Sequence, residues 1–324
     1  MAAAETPQVV VVIPAWRAEA TVGRAVRSAL GQSVPVAVVV VDDASPDATA
    51  DAARAADDAS GRLTVLRQAR NAGPAAARNR AIRESTAPWI ALLDADDWME
   101  PGRIEGLLAA SEGWDMVADD LWRSVETAPE AITGRLLAAS DFAPYSFDAA
   151  GFVTANLHGA HGTRGEAGFL KPLMRRAFLD GAGLAYDEGM RLGEDYDLYT
   201  RALARGARFR VVNPLGYVAV ERAGSLSGRH GAAELAGLVA ADRAILAGET
   251  LDAPARAAVG RHLAGVRREL AWLRLIDAVK ARAPGKALAS FAGPPDVAAT
   301  LVARLAEQVW LRGRRRLGLE PRAE

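Results

Sequence analysis

Val38-Val39-Val40-Val41-Asp42-Asp43-Ala44-Ser45 decides the fold: an unbroken apolar run that ends on two carboxylates and a helix-capping residue. A run without polar alternation reads as a strand buried on both faces, as in a parallel sheet covered by helices. Ile90-Ala91-Leu92-Leu93-Asp94-Ala95-Asp96-Asp97 repeats the pattern, and Gly193-Glu194-Asp195-Tyr196-Asp197 adds a third acidic motif. Such strands deliver the residues at their C-terminal ends to the crevice where open α/β sheets bind ligands. Acids gathered there without a matching basic cluster repel one another unless a cation or polar ligand joins them. A divalent metal holding a diphosphate is the simplest such partner.

Working outward, Val9–Ile13 reads as another buried strand closed by Pro14, and Thr21–Leu30 as a helix with Val22, Val26, Ala29 and Leu30 on one face. Ser45-Pro46-Asp47 opens a helix over about Ala48–Ala59, Leu63–Leu66 is a short strand, and a loop and helix fill Gly73–Ser85 before the strand Trp89–Leu93. This alternation predicts a Rossmann-like α/β fold, a mostly parallel sheet with helices on both faces. Beyond Pro101 we expect a helix over Arg103–Ser111, a strand at Asp115–Ala118 and a variable acceptor-side insertion over Glu126–Gly168. Helices at Phe169–Leu179 and Leu198–Arg205 and strands at Phe209–Val212 and Tyr217–Val220 follow. After His230 the pattern is helical: Ala232–Ala247, Ala253–Ala283 and Asp296–Arg312, with a Pro-Gly break at 284–285.

Composition narrows the function. The 324 residues are 50% apolar and 24% charged, with a net charge of -1 that gives no reason to expect nucleic acid as a partner. The absence of cysteine excludes disulfides, zinc–thiolate sites and thiol catalysis, and fits a reducing cytosol. The expectation is a cytoplasmic protein without signal peptide or membrane span, free or peripheral on the inner face of the cell membrane.

Asp94-Ala95-Asp96 places two acids about a small residue at a strand end, where both can reach one Mg²⁺ or Mn²⁺. A solvated turn capping the next helix is the alternative. Asp42 and Asp43 either accept hydrogen bonds from a base or ribose or cap the helix that follows. Arg70-Asn71-Ala72-Gly73-Pro74-Ala75-Ala76-Ala77-Arg78-Asn79 is a glycine-bearing loop running into a helix, with Arg78 placed to neutralise the first acid pair. It ends in neither Gly-Lys-Ser/Thr nor a G-x-G-x-x-G fingerprint, which argues against a P-loop or nicotinamide enzyme.

Taken in order, Val9-Val-Val-Val-Ile-Pro-Ala-Trp16, Val-Asp-Asp-Ala-Ser45, Arg70-Asn through Arg78-Asn79, Leu-Asp-Ala-Asp-Asp-Trp98 and Gly193-Glu-Asp195 resemble family 2 glycosyltransferases of the GT-A fold, over about residues 8–230. Gly168-Phe-Leu-Lys-Pro-Leu-Met-Arg-Arg176 and Arg222-Ala-Gly-Ser-Leu-Ser227 are similar to a bacterial exopolysaccharide subgroup that includes succinoglycan-type transferases. The resemblance implies a nucleotide-sugar donor, UDP-linked by family frequency, and a glycan or lipid-linked oligosaccharide acceptor. Pro14, Ala15 and Trp16 would line the base and ribose pocket with Glu19 nearby, and Asp43 would face the base. Asp94 would sit by ribose or metal, and Asp96 would ligate the metal. Asp195 would be the general base of an inverting transfer, with Glu194 and Lys171 on the acceptor side. The family often carries Tyr-Asn where this chain has Trp16-Arg17, a change that keeps an aromatic surface for the base.

The implied division is a transferase domain over 1–230, with donor half 8–120 and acceptor half 121–230, and a helical extension over 231–324. A sugar nucleotidyltransferase and a non-catalytic nucleotide-sugar-binding module are the alternatives. Val9–Glu19 lacks the Gly-rich basic signature of the first, and intact acids at 94, 96 and 195 argue against the second. His158 and His161 fall in the insertion, His262 lies mid-helix, and His230 is a candidate for the metal or diphosphate. Val297, Leu301, Leu305, Val309 and Trp310 recur at helical spacing ahead of Arg312, Arg314, Arg315 and Arg316. Such a helix either lies on an anionic membrane or packs on the body.

Overall fold

The computed structural model describes residues 6–157, 167–222 and 231–316. The first half alternates as the sequence predicts: β1 (Val9–Ala15), α1 (Val22–Leu30), β2 (Val36–Asp42), α2 (Thr49–Arg54), β3 (Leu63–Arg67), α3 (Pro74–Arg83) and β4 (Trp89–Leu92). β1 pairs in parallel with β2 on one side and β4 on the other, and β3 extends the sheet beyond β2. Val9–Ile13 are fully buried, as a central strand covered on both faces must be. The right-handed crossover rule puts α1 and α2 on one face and α3, which returns the chain to β4, on the other. The order β3-β2-β1-β4 makes the β1/β4 boundary the switch point, with its crevice at the ends carrying Ala15, Asp42 and Asp94.

The chain continues through β5 (Trp98–Met99), α4 (Arg103–Ala109), β6 (Met116–Asp119), β7 (Trp122–Val125), β8 (Gly134–Arg135), β9 (Tyr145–Phe147), α5 (Ala149–Ala155), β10 (Leu173–Arg175), α6 (Arg176–Gly181), α7 (Glu194–Ala204), β11 (Phe209–Val212) and β12 (Tyr217–Glu221). The central sheet grows to β3-β2-β1-β4-β10-β6-β11-β9, and β5-β12-β7-β8 form a second sheet. β10 and β9 run antiparallel to their neighbours and the other six central strands run parallel. The 126–168 stretch is thus partly framework: β9 edges the sheet, and Phe152 of α5 is fully buried.

Two readings of this half are corrected. Phe169–Leu179 is not one helix: a 3-10 turn at Ala167–Phe169 gives way to β10 and then α6. Pro172 is the cause, because it lacks an N–H and drives Lys171 out of the helical region into extended backbone. The second helix begins at Glu194, four residues before Leu198. Gly193 sits at φ 73°, a left-handed conformation suited to glycine, and the acids Glu194, Asp195 and Asp197 form the first turn of α7. Negative charge there complements the helix dipole.

The remainder is helical: α8 (Ala232–Gly248), α9 (Ala253–Lys280), α10 (Pro284–Ala289) and α11 (Pro295–Arg316). Pro284, read as a break, is also the first residue of α10, where a missing N–H costs nothing. Ile245, Ala258 and Val259 belong to the same core as the sheet. Leu235, Val239, Leu263, Val266 and Leu270 knit α8 to α9, and Leu275, Val297 and Leu301 form a smaller cluster beneath α11.

One buried ion pair joins these layers. The Arg103 guanidinium donates to Asp119 Oδ1 at 2.8 and 3.0 Å and to the Lys171 carbonyl at 2.6 Å, with both side chains fully buried. Asp119 Oδ2 accepts from the Leu215 N–H at 3.0 Å, tying α4, β6, the β10 approach and β12 together. Asp119→Ala leaves a buried guanidinium without its counter-ion, a loss of about 3–5 kcal/mol. Urea unfolding checks this, and a loss near zero would show that solvent reaches the pair.

Candidate active site

The ends of β1 and β2 form a tight floor. The Asp43 N–H donates to the Ala15 carbonyl at 2.8 Å. The Asp43 carboxylate accepts from Gln68 Nε2 and the backbone N–H groups of Ala72 and Gly73, each at 2.7 Å. Asp43 therefore shapes the loop that leads into α3, where Gly73 at φ 95° turns the chain into Pro74. Asp42 accepts from the Ser45 N–H at 2.9 Å and lies 3.3 Å from Arg67 Nε. The cation beside the first acid pair is thus Arg67 rather than Arg78. Trp16 stands exposed at the mouth with the Arg17 guanidinium 4.6 Å from its ring centre, and Pro14 is half-buried beside it. Glu19 points away, accepting from the Ala48 N–H at 3.3 Å at the start of α2.

Arg78 is one turn into α3, on the side facing β4, and becomes the hub. Its Nη2 lies 3.1 Å from Asp94 Oδ1, and its Nη1 lies 2.5 Å from Glu194 Oε1 and 3.4 Å from Asp195 Oδ1. Lys171 closes the ring: Nζ lies 2.9 Å from Asp195 Oδ2 and 3.1 Å from Asp94 Oδ2. The motif after β4 and the motif opening α7 thus meet through two buried cations. The sequence pattern, read as acids without a basic cluster, missed this because the cations come from α3 and the β10 approach. Burial alone would raise the Asp94 carboxyl, but Lys171 and Arg78 outweigh it and hold Asp94 down at about 2. Burial works against the charged Lys171 in the same way, and Asp195 and Asp94 reverse it, keeping the ammonium well above its ordinary range.

Asp96 is placed differently. Among the described residues the cation paired with it is Arg222, whose Nη1 is 3.9 Å from Oδ2, and the carboxylate is about a third exposed at 34%. Burial, then the charge of Asp94, raises its pKa. Arg24 Nη2 donates to the Asp96 carbonyl at 2.6 Å and fixes the backbone. Next to it, buried Asp97 accepts from the Tyr217 hydroxyl at 2.7 Å and the Val220 N–H at 2.8 Å, pinning the loop to β12. Burial, then Asp96 and Asp94, pushes the Asp97 carboxyl well up. Arg78 and Lys171 directly contact three carboxylates, Asp94, Glu194 and Asp195, while Asp96 stands outside that ring with only the longer contact to Arg222 among the described residues. An under-neutralised, accessible oxygen pair is the donor type that Mg²⁺ and Mn²⁺ take. Asp94, the nearest further carboxylate in the motif, is already engaged by both cations.

Among the described residues Asp195 Oδ1 is buried without a well-formed hydrogen bond, 3.4 Å from Arg78 Nη1 and near the hydroxyl of Tyr186, a residue sequence reasoning passed over. The helix carrying Asp195 is braced from behind. Tyr196 donates to Asp242 Oδ1 at 2.9 Å, His262 Nδ1 lies 2.8 Å from Asp242 Oδ2, and the two rings stack 4.3 Å apart. His262 is therefore structural. Asp197 pairs with Arg201 along α7. His158, His161 and His230, with the segment after Arg222, lie outside the described residues.

The chain matches the family profile described as "Glycosyl transferase family 2" over residues 10–179. It is 47% identical over 287 residues to "Succinoglycan biosynthesis protein ExoU" of Rhizobium meliloti (strain 1021), an alignment covering 89% of this chain and 83% of that one. Among solved structures it resembles S. aureus TarS 1-349 in complex with UDP-GlcNAc, with a TM-score of 0.62, 19% identity and coverage of 92% and 85%. It also resembles the mannosyltransferase PcManGT from Pyrobaculum calidifontis in complex with GDP-Man and Mn²⁺, with a TM-score of 0.56, 19% identity and coverage of 97% and 84%. The GT-A fold and the exopolysaccharide-type resemblance expected from the motifs are both borne out. The chain belongs to glycosyl transferase family 2 and is a glycosyltransferase.

Proposed function

We propose that this enzyme moves a sugar from a UDP-linked donor to a hydroxyl of a glycan or lipid-linked acceptor during assembly of a bacterial exopolysaccharide, inverting the anomeric centre. The observation that carries the reading is the Asp94–Arg78–Glu194/Asp195–Lys171 ring, which holds a strand-end acid of the donor crevice against the buried acid of α7. The name of the ExoU relative supports the pathway, and the UDP-GlcNAc bound in TarS supports the donor. Residues 1–230 would carry the transfer, with the donor half before about residue 120 and the acceptor half after it. Residues 231–324 would be the helical extension.

Trp16, Pro14, Ala15 and the Asp42–Asp43 floor form the wall for base and ribose. Asp96, with Asp94, would hold a divalent cation, Mg²⁺ or Mn²⁺. PcManGT, with its bound Mn²⁺, supports that assignment. Bound there, the cation would neutralise charge on the departing diphosphate. Asp195 takes the proton from the acceptor hydroxyl at Oδ1 as the hydroxyl oxygen bonds to the anomeric carbon. The bond from that carbon to the diphosphate breaks on the opposite face, and its electron pair leaves with the nucleoside diphosphate. Lys171 holds Oδ2 of the same carboxylate, which aims Oδ1, and Arg78 keeps Asp94 and Asp195 in fixed relation.

Two variants divide these roles. Asp195→Asn keeps fold and donor affinity but lowers turnover by about 10²–10⁴, equivalent to roughly 3–5 kcal/mol of barrier. Asp96→Ala loses metal-dependent donor binding, read by calorimetry with and without chelator. Normal turnover in Asp195→Asn moves the base to Glu194, and donor affinity unchanged by chelator removes the metal assignment. The anomeric configuration of the product, by NMR, tests inversion directly.

The ring also sets a pH dependence in metal-free protein. Because Asp94 sits at about 2, below the ordinary carboxylate value of about 3.9, its stabilising contribution is complete above that value and lost as pH falls through about 2. Lys171→Met removes the largest cause of the depression and moves the loss to higher pH. Urea midpoints measured from about pH 5 down to pH 2 check this. Parallel curves for the two proteins would show that Lys171 does not govern Asp94.

A further inference from the structure

The last helix leaves an apolar stripe uncovered. α11 is anchored by its beginning alone: Val297 and Leu301 are buried, and Arg304 Nη1 pairs with Glu269 Oε2 on α9 at 3.0 Å. Beyond that anchor Val302, Leu305, Val309 and Trp310 are exposed by 59%, 39%, 71% and 58%. At about 100° per residue, these four and Ala306 occupy one arc of roughly 140°, turned away from Val297 and Leu301. Arg312 falls at one edge of the arc and Arg314 at the other, with the Arg314 guanidinium 4.8 Å from the Trp310 ring centre. Val279 and Leu288, at the neighbouring ends of α9 and α10, are also exposed. Of the ten exposed large hydrophobic side chains among the described residues, seven lie between 279 and 311.

Charge is segregated to the same region. Residues 271–316 carry nine Lys and Arg against three Asp and Glu, in a chain whose net charge is -1. From Val302 to Arg316 the helix rises only about 22 Å, short of the roughly 30 Å hydrocarbon core. Among the described residues no helix is long and apolar enough to cross a membrane. A short apolar arc edged by arginines, with a tryptophan beside one of them, has the chemistry of a helix lying in the interfacial plane of an anionic bilayer.

We propose that the α11 stripe docks this enzyme onto an anionic lipid surface. Charge complementarity selects that occupant over a second copy of the chain, since stripe-to-stripe pairing in parallel would bring two arginine-edged helices together. The proposal does not rest on the identity of donor or acceptor. Its test uses the full chain and vesicles of phosphatidylcholine with and without about 30% phosphatidylglycerol, in low salt and about 0.5 M salt. Co-sedimentation is expected with the anionic vesicles only, and salt weakens it. Val309→Asp with Trp310→Ser lowers it by at least about tenfold. Both side chains are exposed, so the thermal melt by circular dichroism stays at the wild-type value. Failure of the wild-type chain to bind anionic vesicles overturns the proposal, as does equal binding by the double variant. A wild-type dimer that the double variant converts to monomer, without vesicle binding, assigns the stripe to a second copy.

Discussion

Two buried cations set among three carboxylates fix the geometry on which the rest depends. Taking an ion out of water costs several kcal/mol, which is offset only when partners are close and well aligned. Arg78 and Lys171 meet that condition by each touching an acid from β4 and an acid from α7. The five groups arrive from four places: α3, the end of β4, the approach to β10 and the start of α7. The ring therefore closes only when those elements are in register. Because each cation touches more than one acid, neutralising a single acid leaves both cations partnered, whereas removing a cation takes a partner from every acid it joins.

The supporting structure follows from that demand. Lys171 reaches the ring because Pro172 breaks the local helix and because Arg103 holds its carbonyl at 2.6 Å. Asp195 reaches it because Gly193, at φ 73°, starts α7 at the required place. A Cβ at residue 193 would lie 2.4 Å from Leu238 Cδ2 on α8, so the C-terminal helices close against the very turn that carries the acids. Tyr196, Asp242 and His262 extend that brace through α8 into α9. The helices after residue 230 are thus joined to the chemistry by contact with α7.

The first four strands were legible because their signals are local. Buried β1, β2 and β4 announce themselves as apolar runs, and each acid motif follows its strand directly in sequence. What escaped the sequence is what depends on distance along the chain. The partner of Arg78 could not be read from position 78, since distance along the chain does not say which strand end α3 faces, and only the α3 docking selects Asp94. The strand β10 was lost because three residues flanked by helical-looking segments carry no period of their own, although Pro172 was the available signal. Tyr217 and Tyr186 were passed over for another reason. A buried tyrosine looks like any core aromatic until its hydroxyl partner is known.

Two features stay unbalanced after all internal partners are assigned, and they differ in kind. At the crevice the imbalance is charge: Asp96 keeps a partly accessible carboxylate whose paired cation among the described residues, Arg222, is 3.9 Å away. At the far end of α11 it is apolar surface edged by positive charge. A folded chain tolerates neither without reason, because each lowers stability or solubility relative to a substitution that would cure it. The first imbalance suits a small cation and a diphosphate in a defined pocket. The second is extended, shallow and cationic, and suits a broad anionic surface. The fold separates them by placing the crevice at the strand ends and the stripe on the last helix, linked through α9, α8 and α7.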